Sequence, residues 1–175
     1  MSRRAPTVAA CLCVWLAAAP VRAQAPAPLA SGTAVPSVSL VFNGKTMQLK
    51  HLLAGNRTAL VFLPAACTTC DSSLSAIDKP TLVSLGKLGF AVFAVSPDSS
   101  ADQAATVSRL SLAYPLASDP GGAAASAFHV SGPALFLIDR DGRVRYYSDL
   151  SATPLQGPAL VSAAQSLRRS SKIPH

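Results

Sequence analysis

Cysteine is scarce in this chain of 175 residues: there are four, at positions 11, 13, 67 and 70. A small exported protein built on disulfides shows several well-spaced pairs, so this pattern excludes a disulfide scaffold. Tryptophan is limited to Trp15, and aromatic residues make up 6%. No basic stripe interleaved with aromatics occurs, which argues against a nucleic-acid partner. No apolar run reaches the roughly 20 residues that a helical bilayer span needs. Histidine is limited to His51, His129 and His175. None stands at zinc-ligand spacing, so neither a metal nor another cofactor is expected. Internal repeats are lacking too, and the length suits one domain.

What is present starts with an export signal. Arg3 and Arg4 precede an apolar segment over residues 8–19, and Val21-Arg22-Ala23 offers side chains that a signal peptidase accepts. Residues 1–23 therefore read as a signal peptide cleaved after Ala23, which makes the mature chain periplasmic or secreted. Membrane contact is expected only if this segment stays uncleaved as an anchor. Cleavage removes Cys11, Cys13, Trp15, Arg3, Arg4 and Arg22, and lowers the formal charge from +7 by three to +4. Arg168, Arg169 and Lys172 near the C-terminus suit the end of a helix dipole.

Residues 24–34, rich in Ala and Pro, read as a flexible or extended tether. Residues 35–170 form the domain, and residues 171–175 a tail. Residues 35–42 make a short apolar strand, Asn43-Gly44 a hairpin turn and residues 46–49 a return strand. Residues 58–63 are a continuous apolar run suited to a strand buried on both faces. Residues 68–85 carry helical spacing, with Leu74, Ile77, Leu82 and Leu85 on one face and Pro80 expected to kink the helix. Strands over residues 89–95, 115–117 and 134–138 follow. Helices are expected from Ser99 or Ser100 to about Leu112, in an Ala-rich stretch ending near Phe128, and over residues 155–167. Asp139-Arg140-Asp141-Gly142 turns the chain into a partner strand over residues 143–147. Strands alternating with helices, then a terminal hairpin and helix, predict an α/β fold with a central mixed sheet flanked by helices.

Cys67-Thr68-Thr69-Cys70 follows directly on a buried strand and opens a helix. Unpaired amides and the positive end of the helix dipole favour thiolate over thiol there. Cys67, at the helix tip, is the expected nucleophile, and Cys70 the resolving thiol. The spacing allows the two sulfurs to bridge. A loop this short adds little stability, so a purely structural disulfide is a weak reading.

The chain over about residues 35–167 resembles the thioredoxin-like redoxin superfamily, which joins TlpA-type thiol–disulfide oxidoreductases and AhpC/TSA peroxiredoxins. Leu60-Val61-Phe62-Leu63-Pro64-Ala65-Ala66-Cys67-Thr68-Thr69-Cys70 is similar to the TlpA active-site run. Phe93-Ala94-Val95-Ser96-Pro97-Asp98 and Leu116-Ala117-Ser118-Asp119-Pro120-Gly121-Gly122 look like peroxiredoxin segments. The run from Gly132 to Gly142 is common to both branches. The resemblance implies a thioredoxin-like fold with an N-terminal β-hairpin extension. It also implies a third site residue, Pro133, in the place of the cis-proline that shapes the docking groove. Some family features are absent. Ala66 stands where TlpA-type proteins carry Trp, residues 58–63 contain no acid, and residues 64–66 lack the hydroxyl residue that peroxiredoxins place before their cysteine. No arginine matches the peroxide-activating position by motif.

The reading is an exported thiol–disulfide oxidoreductase acting on protein dithiols or disulfides. The alternative is a peroxiredoxin reducing hydroperoxides through Cys67 with a reducing thiol protein as partner. A second alternative is a non-enzymatic binding module on the same scaffold.

Overall fold

The computed structural model describes residues 26–170 apart from Ala66, Thr68 and Thr69. The expected signal peptide, residues 24–25 and the C-terminal tail lie outside the described residues. Strands β1 (Ser39–Phe42) and β2 (Lys45–Gln48) form the expected N-terminal hairpin. Asn43 and Gly44 turn it, with φ of 49° and 73°, the left-handed backbone that a two-residue hairpin loop demands. The return strand ends one residue early, because Leu49 is buried at the start of helix α1 (Leu49–Leu53).

Strand β3 (Arg57–Phe62) leads to helices α2 (Cys70–Ser75) and α3 (Lys79–Lys87), then to β4 (Phe90–Ser96) and α4 (Ser100–Leu110). Strand β5 (Leu116–Ser118), helix α5 (Ala123–Ala127), the hairpin β6 (Ala134–Ile138) and β7 (Val144–Asp149), and helix α6 (Gly157–Ser170) complete the chain. The strands form one mixed sheet in the order β2-β1-β5-β4-β3-β6-β7. β3, β4 and β5 run parallel, and the remaining neighbours pair antiparallel.

Side chains that alternate along a strand point to opposite faces, and both faces of this sheet are covered. From β3, Ala59 and Val61 join one core with Leu74 of α2, Leu85 of α3 and Leu160 of α6. Leu60 and Phe62 join the other, with Leu49 of α1 and Phe128 beyond α5. Double coverage is why β3 and β6 read as unbroken apolar runs instead of alternating ones.

The single helix expected over residues 68–85 is two helices. Asp78 caps the second, accepting the Thr81 N–H at 2.9 Å, and Pro80 lies in its first turn. Proline there costs no hydrogen bond, since the first amides of a helix have no partner anyway. Pro80 therefore starts α3 and does not kink a longer helix. The predicted apolar face is nevertheless continuous: Leu74, Ile77 and Leu85 are buried in one core, with Leu82 against it.

Residues 27–35 are strapped to the fold, with a turn at Ser31-Gly32. The Gly32 N–H donates to the Val144 carbonyl at 2.7 Å, and the Val144 N–H returns to Thr33 at 2.9 Å. The Val35 N–H donates to Gly142 at 2.8 Å, and Leu29 and Val35 pack on the second core. Those two apolar residues anchor a stretch whose Ala/Pro content reads as tether.

Gly157 opens α6 where there is no room for a side chain. A Cβ there would stand 2.6 Å from the Ala76 carbonyl oxygen and closer still to Thr81 Oγ1. Because the Ala76 carbonyl belongs to the main chain and cannot rotate away, Gly157→Ala is expected to destabilise the fold by about 1–3 kcal/mol. Denaturant unfolding measures this, and an unchanged midpoint would show that α6 can shift freely against α3.

Candidate active site

The chemistry-bearing pair sits where β3 ends and α2 begins. Cys67 and Cys70 are joined by a disulfide, with Cα atoms 5.3 Å apart. Their environments differ: Cys70 is buried at 5% exposure, whereas Cys67 is partly exposed. The accessible sulfur is thus the one expected to attack. The Cys70 N–H donates to the Cys67 carbonyl at 3.3 Å, so the two residues share one helical turn. Among the described residues α2 has six residues, so its dipole is smaller than that of the long helix expected from the sequence. Support for a thiolate therefore falls mainly to local amides.

Three contacts hold α2 in place. Tyr114, buried just before β5, donates its hydroxyl to the Leu74 carbonyl at 2.8 Å. Burial pushes its phenol far above the ordinary range, so it remains a donor. The Leu155 N–H donates to Ser73 Oγ at 3.2 Å. On the surface, Arg109 of α4 clasps Asp71, with its two guanidinium nitrogens 2.6 and 3.0 Å from the two carboxylate oxygens. That hydrogen-bonded pairing holds the Asp71 carboxyl below its usual range and raises Arg109 further.

Both cysteines line a groove of about 410 Å³ whose charged wall consists of Asp71, Asp98, Asp102 and Arg109. Sequence reading found the cysteines and missed this wall. Asp71 and Arg109 are 38 residues apart, and no motif links them. They meet because α2 and α4 cover the same face of the sheet.

Pro133 lies half-buried at the entry to β6, and its carbonyl accepts the Leu150 N–H at 2.9 Å. The register Phe62↔Ala134 puts it one strand over from the segment leading to Cys67. Among the described residues no peptide bond is cis, so the bond before Pro133 is trans, contrary to the expectation from resemblance. The trans isomer is the intrinsically favoured one, and proline is tolerated at a strand start, where no ladder donor is needed. Its neighbour Gly132 lines a pocket of about 90 Å³ that adjoins the cysteine groove, the two sharing Leu63, Pro64 and Ser96.

Neither described histidine lines the cysteine groove. His51 is exposed on α1. His129 is exposed in a left-handed turn, with φ of 56° and Nδ1 2.9 Å from the Ala27 carbonyl oxygen. His175 lies outside the described residues.

The sequence profile of the AhpC/TSA family matches residues 31–147. No curated protein sequence matches the chain. Among solved structures, the chain is similar to a Chlorobium tepidum protein assigned as the thiol:disulfide interchange protein DsbE. Their identity is 24% and the TM-score 0.65, covering 81% of this chain and 97% of that one. It is also similar to peroxidoxin BcpB of Mycobacterium tuberculosis, at 22% identity and a TM-score of 0.67, covering 80% and 96%. A third likeness is to the thioredoxin domain of a thiol-disulfide oxidoreductase from Bacteroides vulgatus, at 19% identity and a TM-score of 0.65, covering 79% and 98%. At these identities the neighbours establish the shared thioredoxin-like fold, and the profile establishes the family. The chain belongs to the AhpC/TSA family: it is a thioredoxin-like redoxin, and an oxidoreductase.

Proposed function

We propose that this protein is an exported thiol–disulfide oxidoreductase working through Cys67 and Cys70. The observation that carries this reading is the asymmetry of the pair: the two bonded cysteines line one groove, but Cys67 is partly exposed there while Cys70 is buried. In the reduced protein the Cys67 thiolate attacks a sulfur of a partner disulfide. The partner S–S bond breaks, a mixed disulfide forms, and the departing partner sulfur leaves as a thiolate that takes up a proton. Cys70, deprotonated, then attacks the Cys67 sulfur. The mixed disulfide breaks, the second partner thiolate leaves and is protonated, and the Cys67–Cys70 bond forms. Two electrons pass to the partner, and the reverse sequence oxidises a partner dithiol.

Export is supported by Arg3, Arg4, the apolar segment over residues 8–19 and Val21-Arg22-Ala23. Its expected product is a periplasmic or secreted chain beginning at Gln24, which intact-mass measurement of exported protein would read.

A second reading is favoured by the family profile and by the likeness to peroxidoxin BcpB. In it the Cys67 thiolate attacks a hydroperoxide, the O–O bond breaks, and an alcohol or water leaves. The sulfenic acid is then closed by Cys70 with loss of water. Two features weaken it. No hydroxyl residue occupies positions 64–66, and the arginine on the groove wall is engaged by Asp71.

Parallel assays separate the readings. Reduced protein should be oxidised by a model protein disulfide at least ten times faster than by equimolar hydrogen peroxide. Faster oxidation by peroxide overturns the first reading in favour of the second.

A further inference from the structure

Among the described residues, four charged groups face the redox pair across the groove: Asp71 from α2, Asp98 after β4, and Asp102 and Arg109 from α4. Three are carboxylates, and carboxylates disfavour a neighbouring thiolate. Asp71 is the most awkwardly placed, since it directly follows Cys70 at the start of α2. Acid in the first turn of a helix is ordinarily welcome, but here it stands beside a sulfur that must carry negative charge during exchange. Arg109 answers that charge. It reaches across from α4 and pairs with both carboxylate oxygens of Asp71, while Asp102 accepts the Ser99 hydroxyl at 2.7 Å.

We propose that Arg109 is a positioning residue for thiol–disulfide exchange, cancelling the Asp71 charge beside the Cys67–Cys70 pair and tying the start of α2 to α4. The proposal rests on the reading of this pair as a redox centre. Both side chains are about half exposed, at 56% and 44%, so water screens the pair and its contribution to stability is small. Its effect is read at the sulfur instead. The pair as a unit presents no net charge to Cys67, whereas either partner alone presents a full one.

The test is a charge cycle on the reduced protein, following Cys67 alkylation by iodoacetamide as a function of pH. Arg109→Gln leaves Asp71 uncompensated, and the midpoint should rise by about half a pH unit, the size expected of one largely solvated charge about a helical turn away. Asp71→Asn leaves Arg109 uncompensated, and the midpoint should fall by about as much. The double variant should return close to wild type. Opposite shifts that cancel are the signature of charge. A purely mechanical clasp would instead lower the melting temperature of all three variants and leave the three midpoints where wild type stands, which overturns the proposal. A double variant that keeps the Arg109→Gln shift overturns it as well. Wild-type thiols that fail to exchange with glutathione would remove the redox reading, and this inference with it. Normal wild-type exchange with no shift in Arg109→Gln removes this inference alone.

Discussion

Cys67→Ser is expected to abolish disulfide exchange, lowering the rate by at least about a thousandfold, as removal of a nucleophile does in covalent catalysis. The serine hydroxyl is not ionised near neutral pH and cannot form a mixed disulfide. Cys70→Ser should behave differently. Cys67 still opens on the groove, so attack on a partner proceeds, but no second thiol remains to resolve the product. The expected result is a mixed disulfide that accumulates and can be counted by mass, one partner per chain. Neither variant should lose much stability, because the enclosed loop is the shortest that a sequence separation of three allows and the entropic effect of such a crosslink is about 2 kcal/mol at most. Folding and chemistry are thus separable in this pair of variants. Exchange that survives Cys67→Ser would assign the nucleophile to Cys70, against its burial. If exchange survives in both variants, either thiol alone can attack a partner.

Phe136→Ala is expected to be the most damaging single change to the fold. Phe136 sits mid-strand in β6, fully buried, with ring centroids 5.0 Å from Phe128, 5.1 Å from Tyr147 and 5.9 Å from Phe62. Backbone pairing fixes it opposite Leu60 on one side and Tyr147 on the other, so the surrounding sheet cannot collapse into the space. Truncating a buried Phe typically costs about 3–5 kcal/mol, against a total of about 5–15 kcal/mol for a domain. Urea unfolding should show a midpoint shifted strongly downward at unchanged slope. Val83, 58% exposed on α3, supplies the contrast: Val83→Ala should change stability by less than about 0.5 kcal/mol. A Phe136→Ala cost below about 1 kcal/mol would mean that the aromatic cluster does not organise this face of the sheet.

Much of the fold was legible because local chemistry and global position agree. Asn43-Gly44 specifies a turn through backbone geometry alone. The apolar runs of β3, β4 and β6 follow from a sheet covered on both sides. Of the two expected caps, Ser99 and Ser100, Ser99 caps α4, its side chain accepting the Asp102 N–H. The break between α2 and α3 was not legible from periodicity, because both helices present their apolar residues to the same core and the pattern runs through the gap. Asp78-Lys79-Pro80 carries the signal, as an N-cap followed by a first-turn proline. The strap formed by residues 27–35 was hidden by composition: Ala and Pro say little about which two residues, Leu29 and Val35, find a core.

The site divides the same way. Cys67 and Cys70 were legible because adjacent thiols have few uses in so cysteine-poor a chain. Pro133 came from resemblance; its bond is trans, not cis, and it stands one strand over from the segment leading to Cys67. The Arg109–Asp71 clasp belongs to tertiary packing and has no local signature.

The central claim is that Cys67 and Cys70 form a working redox couple, and the most direct measurement is its reduction potential. The protein would be equilibrated over a series of glutathione ratios, quenched in acid and alkylated, and the blocked thiols counted by mass. A single two-electron transition is predicted, between about −270 mV and −120 mV, the range spanned by reducing and oxidising members of the thioredoxin fold. A pair that exchanges with no glutathione ratio, or that titrates as two independent one-thiol events, would contradict the account.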